Sequence, residues 1–531
     1  MPNITLDLGN YRAAYENTLD KARTERVVER IWQRDHTVWA PQPDEISNRL
    51  GWLDVAERMQ AEVPDLQAFA AEAQAAGFRR ALVLGMGGSS LAPELYAALF
   101  GGGDGLAVSI LDSTDPAAVR AAEAAHPPSE TLYIVSSKSG GTVETFSFFK
   151  YFYNRALDAL GAGQAGRHFI AITDPGSGLA QTAEQYGFRR TFLADPNIGG
   201  RYSALSHFGL VPAALAGADL SGLLARAQVM AERCRDSDLA HNPGARLGLA
   251  LGALAQAGKD KLTLRLPAGR AGFGDWVEQL IAESTGKRGC GILLVVGEPV
   301  LPQYGEERAF VQFSGAQAAP SGQTRIEVDW QADLELGGQF FLWEFATAVA
   351  SYILGVNPFD QPDVEAAKVQ ARQFVQAYQE SGQLPSGESV MPSRKALNNF
   401  LASAKPGDYI ALQAYLAAEA DTQASLQALR AQLGEQTGLA TTLGYGPRFL
   451  HSTGQLHKGD AGHGLFIQLV SPPPQPDLPI PNQAGQPGSD LGFGALKAAQ
   501  ALGDAQALRS AGRRVLTLTV NDTDQLGSLP A

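Results

Sequence analysis

Residues 80–90, RALVLGMGGSS, and residues 131–142, TLYIVSSKSGGT, decide the fold. Each is a short apolar run that ends in glycine and hydroxyl residues, the pattern of a buried strand running into a turn. The same form recurs at LAVSILDS (106–113), HFIAIT (168–173) and RRTFLAD (189–195). Between these runs lie helix-like segments: SLAPELYAALF (90–100), PAAVRAAEAA (116–125) and TVETFSFFKYFYNRAL (142–157). Alternating strands and helices imply a parallel sheet with helices on both faces, because parallel strands need crossover connections.

A second alternating stretch runs through KLTLRL (261–266), GILLVVG (291–297), AFVQF (309–313) and RIEVDW (325–330). From Gln339 to about Leu433 the chain reads as helical, broken at NPFDQP (357–362) and LPSGESVMPS (384–393). Residues 471–490, SPPPQPDLPIPNQAGQPGSD, read as a surface loop. One helix and a last strand, RRVLTLTV (513–520), follow, and the strand is expected to complete the second sheet. Residues 1–60 read as helical. The expected division is a helical segment over 1–60, a first αβα domain over 61–235 and a second over 236–531. The second carries a helical insertion at about 370–440.

Composition narrows the function. Hydrophobic residues make up 45% and charged residues 18%, enough to bury a large core. The net charge of −13 argues against nucleic acid, since nothing offsets repulsion from a phosphate backbone. A small phosphorylated ligand stays open, because backbone amides hold a phosphate locally. Phe340 to Val356 is apolar but contains Glu344, and reads as a buried helix rather than a membrane span. The start, MPNITLDLGNYR, lacks a signal-peptide pattern. With two cysteines, Cys234 and Cys290, and no metal-ligand spacing, the reading is a cytoplasmic protein with no metal and no cofactor.

Polar small residues gather just after the strands of the first half: Gly85–Ser90, Asp112–Thr114, Ser136–Thr142 and Thr173–Ser177. Ligands of open parallel sheets bind outside the carboxyl ends of strands, so these turns read as a phosphate cradle. Gly85, Gly87 and Gly88 approach a dinucleotide fingerprint, but its last position is Ser90. Thr285-Gly286-Lys287-Arg288 fails as a P-loop, because the earlier glycine falls at Ile281 and no hydroxyl follows the lysine.

VLGMGGSSLAPE and VSSKSGGTVET resemble the paired phosphate loops of sugar isomerase (SIS) domains. With NIGGRYSALSHFGL (197–210), QLIAESTGKRG (279–289) and GVNPFDQPDVEAAK (355–368), in that order, the chain resembles the phosphoglucose isomerase family. GPRFLHSTGQLHKG (446–459), the tail from Leu491 and residues 29–53 are most similar to the isomerase half of bifunctional transaldolase/isomerases. A transaldolase barrel needs roughly 250 further residues, so a stand-alone isomerase is expected unless the chain is cut from a fusion. The implied fold is α/β: two SIS-type αβα sandwiches with parallel sheets and helical N-terminal and C-terminal extensions.

The resemblance also implies roles. Aldose–ketose isomerisation moves a proton between C1 and C2 through a cis-enediol, which needs one base and positive charge near the enediolate oxygen. Glu283 would be the base, and Arg201, which stays protonated, would stabilise the enediolate. Gln279, one helical turn before Glu283, would contact substrate. Ser89, Ser137, Ser139 and Thr142 would hold the phosphate, with Gly88 and Lys138 supplying backbone. Ring opening takes a lysine and a histidine in this family, and Lys368 matches the lysine. The histidine lies between glutamate and lysine in most members, yet residues 284–367 contain none. Either His451 serves from a rearranged second domain, with His457 as the backup, or another group opens the ring. In the family this histidine comes from the neighbouring subunit, which implies a homodimer with a shared active site acting on a small sugar phosphate. The alternatives are a sugar-phosphate-binding regulator of SIS type and an isomerase that also accepts mannose 6-phosphate.

Overall fold

The computed structural model describes residues 3–385, 387–523, 526 and 529. Its strands, in chain order, are β1 (Ile4–Asp7), β2 (Arg80–Leu84), β3 (Ala107–Leu111), β4 (Thr131–Ser136), β5 (Phe169–Thr173) and β6 (Arg190–Leu193). Then come β7 (Lys261–Arg265), β8 (Leu293–Val295), β9 (Arg308–Phe313), β10 (Arg325–Val328), β11 (Tyr409–Tyr415) and β12 (Ala440–Tyr445). The last four are β13 (Gly464–Val470), β14 (Pro479–Ile480), β15 (Leu491–Gly492) and β16 (Arg514–Thr519).

The first sheet has the order β3-β2-β4-β5-β6 and is parallel throughout. The chain enters at β2, steps out to β3, then returns across β2 to β4. The topological switch point therefore lies between β2 and β4, where open parallel sheets take ligands. The two loops that flank it are the two glycine- and serine-rich turns singled out in the sequence. β4 and β5 are buried along their whole length. Both faces are covered, which is why these strands read as continuous apolar runs rather than alternating ones.

The second sheet, β1-β10-β9-β7-β8, is parallel except for β1, which pairs antiparallel with β10. The start of the chain was read as helical. Its four-residue strand instead borrows its partner from β10, more than 300 residues on. Helix Leu336–Leu354 is buried almost end to end, as the apolar run predicts. Among the described residues no helix is long and apolar enough to cross a membrane. Gly355, at φ +70°, ends this helix in a left-handed cap. The cap turns the chain into the NPFDQ loop, which reaches the site described below.

A third sheet, β12-β11-β13-β16, was not expected. It is parallel, and its last strand is RRVLTLTV. That strand pairs with β13 and does not complete the second sheet. The segment expected as a helical insertion accordingly contains β11. Two long helices, Glu365–Ser381 and Phe493–Ser510, pack on each other beside this sheet and form one wall of a cavity. The α/β class with parallel sheets is what folds.

Candidate active site

The turn after β2 approaches its neighbours too closely for side chains. A Cβ on Gly88 would sit 2.1 Å from the Gly200 carbonyl oxygen. Gly87 has φ +56°, and a Cβ there would meet Gln279 Nε2 and the His451 carbonyl at 2.8 Å. Glycine is required here because two other parts of the site press on this backbone.

Gly200 opens a short 3-10 turn, Gly200–Tyr202, that carries Arg201 into the interior. Arg201 is 2% exposed. Its Nη1 donates to Glu283 Oε2 at 3.0 Å and its Nε to Ser284 Oγ at 2.9 Å. Its Nη2 holds the carbonyls of Pro358 and Asp360 in the NPFDQ loop. Lys287 Nζ grips the same loop through Asp360 Oδ1 at 2.7 Å and the Asn357 carbonyl. The loop in turn brings Gln361 Nε2 to 3.2 Å from Glu283 Oε2.

Glu283 lies near the end of helix Ala271–Thr285 and is buried. Burial pushes its carboxyl above the ordinary glutamate range, and the Arg201 charge and hydrogen bond only partly offset that. Gln279, one turn earlier, donates from Nε2 to the His451 carbonyl at 2.8 Å. Its buried Oε1 has no hydrogen-bond partner among the described residues.

The turn after β4 is a self-bonded loop. Ser137 Oγ lies 3.1 Å from Thr142 Oγ1 and accepts from the Gly140 amide at 3.2 Å. Thr142 is the N-cap of helix Val143–Leu160 and makes no side-chain cap bond. Lys138 Nζ is turned away to Asp174 Oδ2 at 2.5 Å and to the Pro196 carbonyl, so only its backbone faces the loop.

His451 ends a 3-10 turn, Arg448–His451, after β12. Its Nε2–H donates to Glu144 Oε1 at 2.9 Å, and Gln500 Nε2 donates to the same oxygen at 2.7 Å. Burial alone would raise Glu144; the charge and hydrogen bond of His451, with a smaller contribution from Lys368, outweigh it and hold the carboxyl below its usual range. Ser139, Thr142, Glu144, Lys368 and His451 line one cavity of about 450 Å³. Lys368 lies on its exposed wall, on helix Glu365–Ser381.

One chain thus brings together Arg201, Glu283 and Gln279, and joins them through the Gln279–His451 bond to the cavity lined by Lys368 and the turn after β4. His451 and Glu144 of one and the same chain are within hydrogen-bond distance. His457 does not belong to the site. It is a buried core histidine between the rings of Phe449 and Phe466, at 6.2 and 5.0 Å. Glu144, Gln361 and Gln500 were not read from sequence. Glu144 was visible only as a residue inside VSSKSGGTVET, two positions past Thr142.

Residues 36–288 match the model of one protein family. That family is phosphoglucose isomerase. The resemblance read from the motifs is borne out over this span, which holds both glycine- and serine-rich turns, Arg201, Gln279 and Glu283. It ends before Lys368 and His451, so the phosphoglucose isomerase match does not bear on those two residues.

A glucose-6-phosphate isomerase of Thermosynechococcus vestitus is 36% identical over 272 residues, covering 49% of this chain and 50% of the relative. One from Geobacter sp. (strain M21) is 30% identical over 349 residues, covering 55% and 64%. The chain spans about half the length of the curated relatives it matches. Two solved structures share the fold. A hypothetical protein of Thermus thermophilus has a TM-score of 0.59 at 23% identity, over 70% of this chain and 99% of that one. A glucose-6-phosphate isomerase of Chlamydia trachomatis has 0.51 at 18%, over 67% and 78%.

Proposed function

We propose that this chain is a cytoplasmic enzyme that interconverts glucose 6-phosphate and fructose 6-phosphate. The observation that carries the reading is Glu283: a buried carboxylate, 3.0 Å from a buried arginine, with its proton affinity raised by burial. A base that must take a proton from carbon works best when its pKa moves toward the working pH.

In this reading the phosphate binds at the switch point, on the amides and hydroxyls of Gly88, Ser89, Ser137, Ser139 and Thr142. The first amides of helix Val143–Leu160 stabilise its charge. That anchors the sugar with C1 and C2 at Glu283. His451, held by Glu144, and Lys368 exchange protons with the ring oxygen and O1 to open the ring. Glu283 then takes the proton from one carbon and returns it to the other. Arg201 stabilises the charge on the enediolate oxygen, where a preorganised cation in a dry site has most effect. The side chains named here are all present in a single chain, and the homodimer that the resemblance implies stands as part of this reading.

Turnover tests the reading: fructose 6-phosphate is supplied and glucose 6-phosphate is detected with a coupled dehydrogenase. Conversion supports the isomerase. Sugar-phosphate binding without conversion would favour a regulator of the SIS type, and conversion of mannose 6-phosphate would widen the specificity.

A further inference from the structure

The turn that carries His451 belongs to the third sheet, while its partner Glu144 belongs to the first. Something must hold the two together, and we propose that Arg448 is the positioning residue that docks this turn onto the first sheet. The proposal rests on the isomerase reading for its consequence, though not for its geometry.

Arg448 opens the 3-10 turn that His451 closes. Its guanidinium reaches carboxylates on three separate elements. Glu94 Oε2, on the helix that follows the Gly87–Ser89 turn, is its nearest partner. Asp112, at the end of β3, places Oδ2 at 3.3 Å. Asp275, one turn before Gln279 on the helix that also bears Glu283, places Oδ2 at 3.8 Å. Asp112 is buried; its Oδ1 accepts from Arg448 Nη1 at 3.5 Å, and its Oδ2 has no hydrogen-bond partner among the described residues. A buried carboxylate needs a nearby cation, and Arg448 is the one placed there. The planar fork of an arginine serves several oxygens at once, which a lysine does not.

The docking is specific to the turn. Between Arg448 and His451 lie only Phe449, which is buried, and Leu450. At the far end of the turn, Gln279 holds the His451 carbonyl and Glu144 holds its imidazole. The turn is thus pinned at both ends, with Arg448 supplying all the ion pairs at one of them. Without that end, the imidazole loses its fixed approach to Glu144. Arg448 also reaches the helix that bears Gln279 and Glu283 through Asp275, so the test must separate an effect through His451 from one through that helix.

A double-mutant cycle tests this. Arg448→Met, His451→Ala and the double variant are compared by kcat/KM, with thermal unfolding as a check on folding. Arg448→Met is expected to lower kcat by about the same factor as His451→Ala, on the order of 10²-fold. In the His451→Ala background it should cost no more than about two-fold further, the departure from additivity that marks residues acting as one unit. Arg448→Lys should recover only part of the loss. Because Arg448→Met leaves Asp112 buried and unpaired, Arg448→Met with Asp112→Asn is the companion variant that keeps the pocket neutral if the single change does not fold.

The activity-independent readout is the His451 imidazole resonance in the ligand-free protein, which should move when Arg448 is replaced. Losses that multiply, or a His451 resonance unmoved by Arg448→Met, overturn the inference. A wild type without isomerase activity overturns the function proposed above, and the resonance then still decides whether Arg448 holds the histidine.

Discussion

Arg201 and Glu283 form a buried ion pair at 3.0 Å, with side-chain exposures of 2% and 6%. A buried pair of this kind is costly to desolvate, and its value lies in placing two opposite charges rather than in stability. Here the placement matches the needs of enediol chemistry: a base at the carbon and a cation at the oxygen beside it. Replacing Arg201 by Met should therefore lower kcat by about 10²–10³-fold, the size seen when a preorganised charge-stabilising donor is removed. Steady-state kinetics should show the loss in kcat more than in KM, because the phosphate loops are untouched.

The same pair sets a pH dependence. Burial raises the Glu283 pKa, so the base form is lost as pH falls, and activity should drop on an acidic limb above the ordinary glutamate value of about 4.3. Arg201 opposes this rise, so Arg201→Met should move the limb to higher pH. The pH profile of kcat/KM for the two proteins checks both the position and the sign.

The His451–Glu144 pair predicts a different kind of defect. Glu144→Gln keeps the shape of the acceptor but removes the carboxylate charge that faces His451 Nε2. If these two residues open the ring, the variant should lose roughly 10- to 10²-fold on ring-closed substrate, within the span of a general acid–base contribution or just below it. The loss should differ between α and β anomers, which rapid kinetics on freshly dissolved substrate resolves.

Gly88→Ala tests the packing rather than the chemistry. Its Cβ would fall 2.1 Å from the Gly200 carbonyl, a backbone atom that cannot swing aside as a side chain can. The cost should reach or exceed the roughly 1–3 kcal/mol of an overpacked core. It should appear as a lower unfolding midpoint together with a loss of phosphate binding, since Gly88 itself belongs to the proposed phosphate cradle, and with a lower kcat, since Gly200 carries Arg201 with it.

Much of the site was legible because it is built from local pieces. GMGGSS and SKSGGT announce themselves as turns after buried strands, and Gln279 and Glu283 share a helix face through their spacing. The third sheet was hidden for a physical reason. YIALQAY is buried along its length and lies between helices, and a short apolar run of that kind has no period that separates strand from helix. Missing it also misassigned β16, whose partner β13 is part of the same sheet. Glu144 and His451 stand 307 residues apart, and no spacing in the sequence links them. The structure supplies that link by folding the third sheet against the first.

The most direct test of the central claim compares wild type with Glu283→Gln, a change that keeps size and hydrogen bonding but removes the base. Conversion of fructose 6-phosphate to glucose 6-phosphate is followed through a coupled dehydrogenase, and binding of the sugar phosphate is measured in parallel. The account predicts that wild type turns over, and that Glu283→Gln binds with similar affinity while kcat falls by about 10²–10⁴-fold. A Glu283→Gln protein that binds and turns over like wild type would contradict it.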